Sequence, residues 1–201
     1  PGNINALINR FDQFFSFSEY EDKTKLESGL ISKELNKLNA EKKYEEAILK
    51  AKEYIDKQPK LAVAYFEKGV AEMEKGWYLP SFVSYSVSAQ LKGAVGLSNA
   101  YRGHCLTKLG FIEQSFSSWD LSLKANPSLA IAFFYKGVNY ESMRRYDEAL
   151  ACFQRAQLLQ PTLPLVDRHI AELKKRFDDM ENKRKIVGGS QIEGTNQKSN
   201  S

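Results

Sequence analysis

The chain has 201 residues, 42% apolar and 27% charged, with 29 Lys and Arg against 25 Asp and Glu for a net charge of +4. That small, scattered charge lacks the concentrated basic stripe of sequence-independent nucleic-acid binding, so no nucleic-acid partner is expected. No apolar run approaches the roughly 18 residues of a membrane span, and the remaining class is a globular or repetitive fold with a buried core.

Residues 3–18, NINALINRFDQFFSFS, place Ile4, Leu7, Ile8, Phe11, Phe14 and Phe15 on one helical stripe. The spacing predicts an amphipathic helix, followed by a linker, within residues 1–27. It is expected to cover the exposed face of the helical unit next in the chain, and self-association or docking through it is the sharper reading. The chain opens on Pro1 rather than methionine, which leaves room for a leader upstream.

Beyond residue 27 the chain repeats. LAVAYFEKGVAEMEKGWY from Leu61 aligns without a gap on LAIAFFYKGVNYESMRRY from Leu129, 68 residues later. Their glycines are Gly69 and Gly137, and Gly103 stands midway, so the period is 34. Tyr44, Tyr78, Ile112 and Tyr146 keep that period, as do the small residues Ala47, Ser81, Ser115 and Ala149. Ala51, Tyr85, Trp119 and Phe153 follow one helical turn on. Pro59, Gly93, Pro127 and Pro161 close the units with residues that stop a helix. Four units result: 28–61, 62–95, 96–129 and 130–163. Each splits into two amphipathic stretches joined by a turn such as EKGWY or SMRRY. A helical glycine costs about 1 kcal/mol against alanine, so its recurrence predicts close helix contacts at 69, 103 and 137. Ala47, Ser81, Ser115 and Ala149 are the expected facing residues.

This pattern resembles the tetratricopeptide repeat. The fourth unit carries it best, through Phe133, Gly137, Tyr140, Ala149, Phe153, Ala156 and Pro161. The first unit is poor in its first helix, the second has Gly93 for the closing proline, and the third has Asn99 where a large apolar residue is usual. The resemblance implies an all-α fold, a right-handed superhelix of four helix-turn-helix units with a concave groove. From Pro164, the residues Val166, Ile170, Leu173, Phe177 and Met180 read as a capping helix over 164–187. Residues 188–201, polar and glycine-rich, read as a flexible tail.

Catalytic chemistry is not evident. His104 adjoins Cys105, but helical neighbours point about 100° apart and cannot form a nucleophile pair. There is no phosphate loop, no HExxH, no CxxC and no metal-ligand cluster, so neither cofactor nor metal is expected and the segment is read as non-enzymatic. Cys105 and Cys152, on different units, are expected to stay thiols, which favours a reducing, cytoplasmic setting. The function expected is a protein-interaction scaffold that takes a partner peptide or helix. The resemblance places its groove on the first helices: Val63, Phe66, Val70 and Met73; Leu97, Tyr101 and His104; Ile131, Phe134, Tyr135 and Val138. A carboxylate clamp of the chaperone-docking type is disfavoured, because Ser32, Asn36, Glu67, Leu97 and Tyr101 hold its places and only Asn36 has suitable chemistry. The alternatives are a secretion-type chaperone and the targeting arm of a larger enzyme.

Overall fold

The computed structural model describes residues 17–196, with side chains described from 25 to 185. The backbone runs through α1 (Phe17–Ala40), α2 (Tyr44–Lys57), α3 (Ala62–Glu74), α4 (Tyr78–Gln90), α5 (Val95–Lys108), α6 (Ile112–Ala125), α7 (Ala130–Ser142), α8 (Tyr146–Leu159) and α9 (Val166–Asn196). No strand occurs among the described residues. The 34-residue period is now physical: α2, α4, α6 and α8 begin at Tyr44, Tyr78, Ile112 and Tyr146. The amphipathic segment expected over residues 3–18 lies, but for its last two residues, outside the described chain.

The helices form two compact units that divide between Ala125 and Asn126. In the first, each helix from α1 to α6 packs on the next, and α1 also reaches α3. In the second, α7 packs on α8 and α8 on α9. The division falls inside the array expected over 28–163, where Pro127 cannot continue α6. The Asn126 Oδ1 there accepts the Ser128 N–H at 3.0 Å, an Asx turn.

The turn within each helix pair has one geometry. Lys42, Gly76, Gly110 and Arg144, again 34 apart, are left-handed at φ 58°, 76°, 90° and 59°. In each turn the next amide bonds back to the carbonyl five residues earlier, as Trp77 N–H does to Glu72 at 2.8 Å. That is a Schellman stop, which satisfies carbonyls at the end of one helix before the next begins. Glycine takes this conformation freely, whereas Lys42 and Arg144 hold it at a cost of about 1–2 kcal/mol.

The close contacts are made by rings. A Cβ added to Gly69 would lie 3.0 Å from the Tyr85 ring, one on Gly103 2.4 Å from Trp119 Nε1, and one on Gly137 2.8 Å from the Phe153 ring. All three glycines are buried within helices. The partner is thus the aromatic residue one turn beyond the expected small one. Ser81 is close too, but it donates its hydroxyl to the Gly69 carbonyl at 2.8 Å rather than facing the missing Cβ. The first pair inverts the arrangement, with Leu35 large on α1 and Ala51 small on α2, both fully buried. Gly93 answers a different crowding: a Cβ there would sit 2.3 Å from that of Ala62.

The chain ends differ from expectation. α1 runs unbroken across residue 27, where a linker was expected, because FSEYEDKTKLESGLISKELNKLNA has no proline and a single glycine. α9 continues past Gly188 to Asn196, into the expected tail, since no proline follows Pro164 to stop it.

Replacing these glycines with alanine should destabilise in the order Gly103, Gly137, Gly69. The indole is rigid and pinned by its Nε1–H bond to the Ala100 carbonyl at 3.0 Å. Overpacking should outweigh the helix-propensity gain, for a net loss of about 1–2 kcal/mol at Gly103. Urea unfolding of the three variants checks both the sign and the order.

Candidate binding cleft

Between α1 and α3 the first unit has a cleft of about 560 Å³. The α1 side supplies Lys25, Ser28 and Ser32, and α3 supplies Ala62, Val63, Phe66 and Glu67. The connections contribute Lys60, Leu61, Gly93 and Ala94. Gly93 lets the chain before α5 pass Ala62 closely, which brings Ala94 to the cleft wall. Behind Phe66 lies an aromatic stack. Its ring meets Tyr85 edge-on at 5.6 Å and tilts against Tyr101 at 6.2 Å, while Tyr85 and Tyr101 stack at 5.4 Å.

Glu67, at the cleft, is only 4% exposed. Asn39 Nδ2 donates to its Oε2 at 3.1 Å and to its main-chain carbonyl at 3.0 Å. Asn36 and Ser32 also donate to the carboxylate. Burial outweighs these bonds and raises the Glu67 carboxyl above the ordinary range. Three of the places inspected for a carboxylate clamp, Ser32, Asn36 and Glu67, therefore engage one another. The sequence placed Glu67 on a groove helix, but nothing in its spacing revealed the neutral donors 28 and more residues upstream.

The other sequence-predicted groove residues of this unit are half-buried: Val63, Val70, Met73, Leu97, Tyr101 and His104. Val63 shares the cleft wall with Phe66 and also packs on the core of Ile31, Leu35, Ala51 and Ala64. Burial raises the Tyr101 hydroxyl, with Glu74 and Glu67 adding to the effect. His104 turns its ring edge to Tyr78 at 6.4 Å. Burial, with help from Lys108, lowers its imidazole to about 4, so it is neutral at pH 7.

In the second unit Ile131, Phe134, Tyr135 and Val138 are also half-buried. Phe134 and Val138, however, pack on that unit's own core of Ala149, Phe153, Ala156, Val166, Ile170 and Leu173. His169 of α9 stacks on Phe153 at 4.6 Å and meets Phe134 edge-on at 5.7 Å. α9 thus lies against one side of Phe134, as a further helix would.

His169 Nδ1 lies 2.8 Å from Glu141 Oε2, and the ligand atoms of Glu141, His169 and Glu172 fall within 4.8 Å of one another. This geometry could hold a divalent ion, and the sequence reading missed it because Glu141 is 28 residues from His169. The spacing of His169 and Glu172, one helical turn apart, was the available signal. Arg168 already bonds Glu172 at 2.8 Å. Cys105 is a buried free thiol raised to about 11 by burial, and Cys152 is free and half-buried. Thiols so raised are poor nucleophiles.

Residues 130–163 match the tetratricopeptide repeat family. Solved structures match over much more of the chain. TTC0263, a thermophilic repeat protein of Thermus thermophilus, aligns at TM-score 0.65 and 17% identity, over 75% of this chain and 82% of that one. The fold is that of tetratricopeptide repeat proteins, and residues 130–163 carry the repeat itself. MamA (41-end) of Desulfovibrio magneticus RS-1 aligns at 0.61 and 17%, over 87% and 97%. The first repeat domain of Spaghetti (RPAP3), solved bound to the HSP90 peptide SRMEEVD, aligns at 0.54 and 17%, over 58% and 95%. At these identities the likeness is one of fold. No curated protein matches the chain. No helix among the described residues is long and apolar enough to cross a membrane.

Two groups of the first unit, buried Glu67 and half-buried His104, should give stability opposite pH slopes. Glu67 is raised in the folded state, so its contribution is full below about 4.5 and is lost as pH rises through its folded value. Glu67→Gln should therefore be more stable than wild type at neutral pH, with the gap closing as pH falls through the folded value toward 4.5. His104 is lowered from 6.5 to about 4, so its contribution is full above 6.5 and is lost as pH falls toward 4. His104→Gln should flatten acid destabilisation across that window. Thermal melts of both variants from pH 4 to 8 test the two signs.

Proposed function

We propose that the chain is a non-catalytic interaction module that binds a helix or extended segment of a partner protein at the α1–α3 cleft. The observation that carries this reading is Phe66, half-buried at the cleft wall with Val63 beside it and Tyr85 and Tyr101 supporting its ring. A supported aromatic at a concave wall is the kind of residue on which interface energy concentrates. The fold adds to it, since first helices of stacked pairs present side chains along one face. The carboxylate at this cleft distinguishes it from a site for an acidic peptide such as SRMEEVD, the ligand of the Spaghetti repeat domain.

Peptide-display selection against the chain, followed by fluorescence anisotropy with the selected peptides, tests the proposal. Phe66→Ala should weaken binding by about tenfold or more, with circular dichroism showing an intact helical fold. Affinity that survives this change would move the site off the cleft.

A further inference from the structure

We infer that the cleft recognises an arginine side chain that the partner presents, with Glu67 as its counter-ion. The inference rests on the proposed function and names the chemistry of the partner. It starts from a contrast within α3. Two glutamates of this helix are buried, Glu72 at 3% exposure and Glu67 at 4%. Glu72 has its cation, since Lys68 Nζ lies 2.5 Å from Oε1, and Ser84 donates to Oε2 at 2.6 Å. Glu67 has only the neutral donors Asn39, Asn36 and Ser32, and no cation pairs with it among the described residues. A buried carboxylate without a counter-charge is destabilising, and removing that deficit is a source of binding energy.

The surroundings fit a guanidinium better than a simple ammonium. Two carboxylate oxygens offer about four lone-pair directions, and three neutral donors leave room for a further donor from the cleft. Beside Glu67, the buried Asn39 Oδ1 accepts no hydrogen bond. The two oxygens of one carboxylate suit the forked donors of arginine, which is also the more weakly hydrated cation. Phe66, the adjacent residue, gives the side-chain stem an apolar wall and the cation a ring face.

The rim carries the opposite sign. Lys25 and Lys60 line the cleft, are exposed, and make no ion pair among the described residues. The complementary segment therefore has a central arginine between apolar residues and acidic residues toward its ends. A wholly acidic tail would meet Glu67, and a wholly basic one would meet the two lysines.

The test titrates N-acetyl-arginine methylamide and its uncharged isostere, N-acetyl-citrulline methylamide, into the ¹⁵N-labelled full chain. The arginine probe should shift the Glu67 and Ala94 amides saturably, and citrulline should bind at least about tenfold more weakly. Glu67→Gln keeps the side-chain shape and should abolish the difference between the two probes. Equal binding of both probes, no shift with the arginine probe, or a preference that survives Glu67→Gln would each overturn the inference. The groove reading fails separately. Display-selected peptides that depend on Phe66 but lack arginine preference defeat this inference alone. An arginine probe that binds while Phe66→Ala leaves peptide affinity intact defeats the groove alone.

Discussion

The contact between a helical glycine and the aromatic ring sixteen residues later sets how closely the two helices of a pair approach. With Cβ present, the backbones of α5 and α6 could not keep Trp119 where it is, 2.4 Å from the position that Cβ would take. The glycine costs helix propensity, and the ring supplies a large apolar area in exchange. What is held constant is summed volume across the contact. The first pair shows this by inversion, with Leu35 against Ala51 in place of a glycine against a ring. A bare backbone is therefore one solution to the constraint, and the pair geometry is the constraint itself.

Close approach puts polar backbone atoms within reach of short side chains, and serines occupy those positions. Ser81 bonds the Gly69 carbonyl, Ser98 that of Gly93, and Ser122 that of Gly96. A second linkage recurs at the same sixteen-residue offset. Lys68 bonds Ser84, Arg102 bonds Ser118, and Lys136 acts electrostatically on Cys152. These bonds explain how α4, YLPSFVSYSVSAQ, packs with no charged residue at all. Its Ser81, Ser84 and Ser88 are buried while Leu79 and Val83 remain exposed.

The period, the helix starts and the burial of the three glycines were legible because each is a local property repeated at fixed spacing. The residue facing each glycine was not. Positions 81 and 85 lie one turn apart on the same face, and periodicity cannot separate them. Size separates them, since a gap left by a missing Cβ is filled by the larger side chain. The surroundings of Phe134 were illegible for a related reason. Its helix position marks a groove face, but α9 lays His169 against it, and only tertiary structure shows which first helix has a neighbour. The Glu67 environment was the least legible, being assembled from Ser32, Asn36 and Asn39 on a different helix.

The repeat itself indicates that the carboxylate at 67 is not a requirement of the fold. One period on, the same register holds Tyr101, and two periods on it holds Tyr135. Both are half-buried, so the position accepts a polar tip on a large apolar body. Glu67 departs from that solution in the direction that lowers stability, because burial raises its carboxyl and no cation among the described residues offsets the charge. A tyrosine there would satisfy packing without that penalty. Among the described first helices of the three glycine-bearing pairs, the ionisable carboxyl at this register stands where the cleft opens, and its neighbours are donors that favour its charged form. At this register the departure from the repeat is thus at the position that faces the cleft.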